Sequence, residues 1–247
     1  MKILVIVPIT DHKFNEQVQK EVDSVKAPDC DITLVNIDKG TPFIESRYAE
    51  YVDTAEIIRL SLDGVEKKFD GIFIDCFGEP GVSVVRELVD IPVVGGFEPA
   101  VVTACMISRK FSVVTVVQSV VPMVRSLARD LGVIDNLASV RTVGIPVEGL
   151  SNVELLKFKL LEQSEKAIRE DGAESIVLGC TGMLSVARYL EKELQELKLP
   201  APVVDPTTAA IGLLQSFIRS GISQSRLTYS KQMPVSRTVQ SGTAQKV

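Results

Sequence analysis

At 247 residues the chain is long enough for one large domain or two of about 100–150 residues, each able to bury a core without a disulfide scaffold. Its 27 basic and 32 acidic residues give a formal charge of −5 and are scattered along the chain, which argues against nucleic acid or an anionic membrane as principal partner and leaves a small molecule. Four cysteines and one histidine, His12, without CxxC or Cys/His ligand spacing, point away from structural zinc and histidine-rich metal sites and fit a reducing, cytoplasmic setting.

The opening KILVIVPI run reads as a strand. It is too short for a transmembrane helix and lacks the basic start and small-residue cleavage site of a signal peptide. A helix-period stretch, EVDSVKA, precedes the strand-like DITLVNI, and TAEIIRLSLDGVEKKF precedes GIFIDCF and IPVVGGF. FSVVTVV and SVRTVGIPV follow, then the helical LLKFKLLEQSEKAIRED, then SIVLGC and APVVD. Strands separated by helices predict a mostly parallel α/β sheet, and runs apolar throughout fit strands covered by helices on both faces. Past Gly221 the polar tail without a clear period is expected to end loose or as an attachment surface.

A weak repeat runs through this order. Strand, cysteine, glycine, helix and then PVV recur in GIFIDCFGEPGVSVVRELVDIPVVGGFEPA and SIVLGCTGMLSVARYLEKELQELKLPAPVVDPTTAA, predicting two similar α/β units. Cys76 and Cys180 hold matched positions in them, beyond the carboxyl ends of strands, where ligands gather in open α/β sheets. Helix N-terminal N–H groups nearby are expected to lower a thiol pKa and to steady an oxyanion, and Gly78 and Gly182 allow substrate close to the backbone. Inverting a carbon acid takes one acid/base group on each face of the carbon, and a thiolate and a thiol can exchange those roles without a cofactor. Cys105, in the apolar VVTACMIS, is expected in a core, and Cys30, in APDCDIT, in a polar turn without a role. Asp75 and Glu79 flank Cys76, but strand alternation should turn Asp75 away from the cysteine.

On DCFGEPG around Cys76, the following IPVVGGFEPA, and LGCTGM around Cys180, the chain resembles the aspartate/glutamate/hydantoin racemase superfamily, closest to its hydantoin and allantoin racemase branch, from the first strand to about Ser220. The resemblance implies two pseudo-symmetric α/β lobes with the site between them, and Cys76 and Cys180 as the catalytic acid/base pair. It implies a first lobe of 1–98 plus 207–247, with the last helix, about 207–220, packing back onto it, and a second lobe of 99–206. It also implies a small-molecule substrate, further copies of the same chain as partner, and no cofactor. Phe77-Gly78 and Gly182-Met183 stand where amino-acid racemases of the superfamily usually carry Asn-Thr and a His or acidic residue, so the expected substrate is a 5-substituted hydantoin, allantoin included. Val7-Pro8-Ile9-Thr10 departs from an Asn-Pro-Asn-Thr-like segment of hydantoin-type members, which leaves the hydrogen bonding of the ring open. Substrate contacts are expected from Pro8, Ile9, Thr10, Glu45, Phe77, Gly78, Thr181 and Gly182. Thr115 and Val116 join them, with Thr115 placed as the second-lobe counterpart of Ile9-Thr10. Two other readings remain: an aspartate/glutamate racemase or maleate-type isomerase on the same scaffold, and a non-catalytic small-molecule-binding protein.

Overall fold

The computed structural model describes residues 1–233. Its eight strands form two parallel sheets of four. The first contains β1 (Lys2–Val7), β2 (Asp31–Asn36), β3 (Gly71–Ile74) and β4 (Val93–Val94) in the order β2-β1-β3-β4. The second contains β5 (Phe111–Thr115), β6 (Leu137–Thr142), β7 (Ser175–Leu178) and β8 (Val203–Val204) in the order β6-β5-β7-β8. The order is the same in both, so the two halves form matched α/β lobes, and all eight apolar runs supply strands. β1 pairs with β3 from Ile3↔Gly71 to Ile6↔Ile74, and β5 with β7 from Phe111↔Ser175 to Val114↔Leu178. This register makes Val7, not Ile9 or Thr10, the counterpart of Thr115, correcting the expected correspondence by two to three residues.

The helices begin and end where local chemistry allows. α1 (Asn15–Val25) covers one face of the first sheet; α2 (Arg47–Glu66) and α3 (Val82–Leu88) cover the other. The Ser46 side chain caps α2 by accepting from the Ala49 N–H. α4 (Phe97–Ile107) and α5 (Val121–Asp130) lie on the second sheet, opposite α6 (Val153–Asp171) and α7 (Ala187–Glu196). α8 (Pro206–Ser220) starts with an Asp205 side-chain cap and Pro206 in its first turn and ends at Gly221, whose φ of 64° suits a residue without Cβ. It packs against α1, α4, β3 and β4. The expected lobe boundary at 98/99 falls inside α4.

Strand alternation sorts the core. Leu4, Ile6, Ile72 and Ile74 meet Ile57 of α2 and Val82 and Val85 of α3, while Ile3, Val5 and Phe73 face the helices on the other side. That second layer continues into Ile176, Leu178, Leu156 and Leu190 of the other lobe, so one apolar layer runs through both halves. Each of the larger side chains fully buried here contributes about 1.5–3 kcal/mol. Cys30, expected in a polar turn, has its side chain in this layer, whereas Cys105 packs half-buried against the α4–α5 cluster.

Beyond α8 the chain does not leave the protein at once. Ser223 donates to the Asp90 carbonyl, Gln224 to those of Val89 and Ile91, and the Gln232 N–H to that of Glu87. As far as residue 233 the tail is a strap on the first lobe, and its end, expected loose or as an attachment surface, lies in 234–247, outside the described residues. Among the described residues no helix is long and apolar enough to cross a membrane.

Candidate active site

β3 ends at Ile74 and β7 at Leu178, and each cysteine lies just past its strand. The ladders close in the same way: Asp75 N–H donates to the Ile6 carbonyl and Gly179 N–H to that of Val114, each at 2.8 Å. The chain then turns. The Cys76 carbonyl accepts from the N–H groups of Glu79 at 3.2 Å and Gly96 at 3.1 Å, and the Cys180 carbonyl from Met183 N–H at 3.1 Å. Matched strand ends thus deliver both thiols into one cleft with two adjoining parts, of about 460 and 430 Å³ counting the open mouth, both lined by the two cysteines with Ile44, Val147 and Thr181.

The other expected site residues distribute unevenly. Pro8, Ile9 and Gly182 line the part of the cleft toward α1, and Phe77, Gly78, Thr115 and Val116 the part toward α5. Phe77 packs edge-on to Phe97 at 5.3 Å between ring centres, which fixes its ring. Thr115 lines the cleft, but its hydroxyl donates to the Gly179 carbonyl at 2.8 Å; that of Thr181 donates to the Asp75 carbonyl at 3.1 Å. Thr10 stays out of the wall and donates its N–H to Thr41. Glu45 is not in the wall either. Its Oε1 accepts from the Val147 N–H at 2.5 Å, and its carbonyl from the Ser119 hydroxyl at 2.9 Å, so it ties the loop carrying Ile44 across the cleft to the second lobe.

Asp75 contradicts the expected alternation. The strand has already ended at Ile74, whose carbonyl accepts the Cys76 N–H at 2.8 Å, and the tight turn puts Asp75 into the same cleft wall as both thiols. Ile44, Val147 and Met123 escaped the sequence reading because they arrive from loops and a helix with no local signature of a pocket. Glu79 is structural: its carboxylate accepts from the Glu98 N–H at the start of α4 at 2.8 Å.

Comparison with known proteins assigns this arrangement. The family description Asp/Glu/Hydantoin racemase matches residues 3–214. A hydantoin racemase of Paenarthrobacter aurescens is 34% identical over 229 residues, 92% of this chain and 94% of that one. The allantoin racemase from Klebsiella pneumoniae superposes with a TM-score of 0.89 at 31% identity, covering 98% of both chains. That from Pseudomonas fluorescens superposes at 0.87 and 30%, over 95% of this chain and 98% of its own.

The chain belongs to the Asp/Glu/hydantoin racemase family.

It is accordingly an isomerase of the racemase type, and its electrostatics show in what state it rests. The thiols keep some surface open to the cleft, but the protein packed around them dominates. Burial pushes Cys180 up to about 12, against the N–H groups of Gly182 and Met183, with Asp75 and Glu45 adding negative charge. Burial raises Cys76 further still, against the Gly78 N–H, with Cys180, Asp75 and Glu50 adding to the rise. The expected lowering by helix N-termini does not occur because α3 begins only at Val82 and α7 at Ala187, leaving isolated loop N–H groups such as that of Gly182, 3.3 Å from the Cys180 sulfur. Burial thus favours the protonated form of both thiols of this racemase at neutral pH. Carbamidomethylation by iodoacetamide should be slow at pH 7 and rise about tenfold per pH unit through pH 9, tracking the thiolate fraction; peptide mass spectrometry would read it, and fast pH-independent labelling would contradict the protonated resting state.

Proposed function

We propose that this chain racemises 5-substituted hydantoins, allantoin among them, by proton transfer between Cys76 and Cys180 without a cofactor. The observation that carries the reading is the arrival of both thiols, from equivalent strand ends of two matched lobes, in one cleft. One cysteine, having released its proton to solvent at the mouth of the cleft, removes as thiolate the proton from the ring carbon beside the carbonyl. The other, as thiol, returns a proton to the opposite face, and the roles reverse for the other enantiomer. Because burial makes each thiolate costly, it is a strong base once formed, suited to a weakly acidic carbon. The loop N–H groups of Gly78 and Gly182 stabilise the negative sulfur.

The cleft wall favours a neutral ring over a dicarboxylate. Val7, Pro8, Ile9, Phe14, Val18 and Ile44 supply apolar surface, and no Lys, Arg or His stands among the lining residues. Aspartate, glutamate or maleate would find no cation in this wall for their carboxylates. Incubation with a single enantiomer of a 5-substituted hydantoin or of allantoin should erase optical rotation with nothing added, and aspartate and maleate should neither react nor compete. Racemisation of aspartate with no action on hydantoins would move the assignment to the amino-acid racemases, and hydantoin binding without loss of rotation would make the protein a binder.

A further inference from the structure

One ionisable group in the cleft is used neither by the thiol exchange nor by the fold. Asp75 is 4% exposed, lines the wall beside Cys76, Cys180, Thr181 and Gly182, and its Oδ1 is buried without a hydrogen-bonding partner. Leaving a carboxyl in that state is costly, and such groups are retained where something else completes them. The fold completes it only in part. The Thr181 and Thr207 hydroxyls lie near enough to favour its ionised form, but the Thr181 hydroxyl is directed at the Asp75 carbonyl, and neither the Thr207 hydroxyl nor Asp75 Oδ1 has a full hydrogen bond. The strand end does not demand it either. The register puts Gly179 at the equivalent place in the second lobe, where a Cβ would sit 2.6 Å from that of Thr115. The carboxyl is therefore an asymmetric feature of a symmetric scaffold, set in the wall of the cleft that both thiols line.

We propose that the Asp75 carboxyl, in its protonated form, pairs with the cis-amide edge of the substrate ring, accepting a hydrogen bond from the ring N–H and donating its own to the adjacent carbonyl. This rests on the hydantoin-racemase reading. In a hydantoin that carbonyl adjoins the reacting carbon, so its oxygen takes up the charge when the carbon proton leaves for the thiolate. The carboxyl proton stays on Asp75 throughout, and its hydrogen bond strengthens as the enolate forms. Burial, and next the charge of Asp205, raise Asp75 to about 7, tempered by the Thr181 and Thr207 hydroxyls. The ionisable groups facing it are Cys76 and Cys180 from the two loops and Asp205 before α8, while α1 presents Phe14 and Val18 to the cleft. All three would carry negative charge if ionised, so each favours the neutral acid, and the neutral acid in turn spares the thiolate a repulsive neighbour.

The test compares wild type, Asp75→Ala and Asp75→Asn by polarimetry across pH, with a 5-substituted hydantoin and its analogue methylated at the nitrogen between the carbonyls. Asp75→Ala should lower kcat/KM about 100-fold, with KM up about tenfold, the scale of a lost charge-developing hydrogen bond. Asp75→Asn, whose amide offers the same acceptor and donor, should recover most of the KM. Wild-type KM should climb as pH passes about 7, when the donor is lost, while that of Asp75→Asn stays flat. The methylated substrate should react with wild type no better than the parent does with Asp75→Ala. Wild-type KM and pH profile in Asp75→Ala, or equal use of the methylated ring, would overturn the pairing while leaving the racemase reading standing. Failure of the wild type to racemise any hydantoin would overturn both.

Discussion

Cys76→Ala and Cys180→Ala should each abolish racemisation, with kcat reduced on the order of 10³-fold or more, the upper part of the range for removal of a positioned acid/base group. The expectation follows from the division of labour across the cleft. A variant lacking one thiol can neither take the proton from that face nor return one to it, so both directions fail together whichever enantiomer is supplied. Folding should survive, because both cysteines sit at loop positions open to the cleft and not in the fully buried strands. The serine variants sharpen the result. A hydroxyl is too weakly acidic to act as the base, yet the remaining cysteine can still abstract from its own face, so Cys76→Ser or Cys180→Ser should wash solvent deuterium into one enantiomer only. Polarimetry and NMR exchange on the same samples, with circular dichroism to check folding, separate these outcomes. Racemisation near wild-type rate in either alanine variant would sink the two-thiol mechanism.

The strands were legible because parallel strands covered on both faces must be apolar throughout, and GIFI and SIVL are buried at every position. The matched cysteines were legible because the repeat preserves the strand end even where its neighbours differ. What the sequence hid is whatever depends on the chain after a strand stops. Alternation predicted that Asp75 would point away from Cys76, but periodicity holds only while the ladder does, and here it ends at Ile74. Glu45 is expected among the substrate contacts, and its tie to the Val147 N–H was illegible because that partner is 102 residues away. The strap after α8 was illegible because its order comes from polar side chains bonding to backbone carbonyls of residues 86–91, which leaves no hydrophobic period to read.

That strap leads to the largest expected change in stability. Arg86, on α3 and 8% exposed, holds the Glu98 carboxylate of α4 through Nη1 at 3.0 Å and Nη2 at 2.5 Å, and donates through Nε to the Val93 carbonyl at 3.0 Å. Nη1 also donates to the Tyr229 hydroxyl in the strap at 3.1 Å. Glu98 N–H in turn donates to Glu79, and Glu79 N–H to the Cys76 carbonyl, so one chain of bonds runs from the strap to the loop carrying a candidate catalytic thiol. Arg86→Ala leaves the Glu98 carboxylate unpaired beside Glu79, which burial and then the Glu98 charge already raise to about 8. Breaking a fully buried ion pair on one side costs about 3–5 kcal/mol; with the Glu98 side chain 29% exposed the loss falls toward the lower end of that range, which for a chain of this size lowers Tm by roughly 6–10 °C. Arg86→Lys should recover little of it, because a single ammonium cannot supply the guanidinium's bidentate fork and the Val93 bond together. The loss should also reach function. With Arg86 gone, Glu79 loses the cation that lowers its pKa and stays protonated, a weaker acceptor for the Glu98 N–H at the base of the loop, so Cys76 loses its fixed position, and kcat/KM measured well below the new Tm should fall more than that of a variant destabilised equally in the second lobe, such as Leu190→Ala in α7. An Arg86→Ala protein melting within 2 °C of wild type would show that the pair contributes nothing, and one that melts early with unchanged kcat/KM would show that the Cys76 loop is held independently of it.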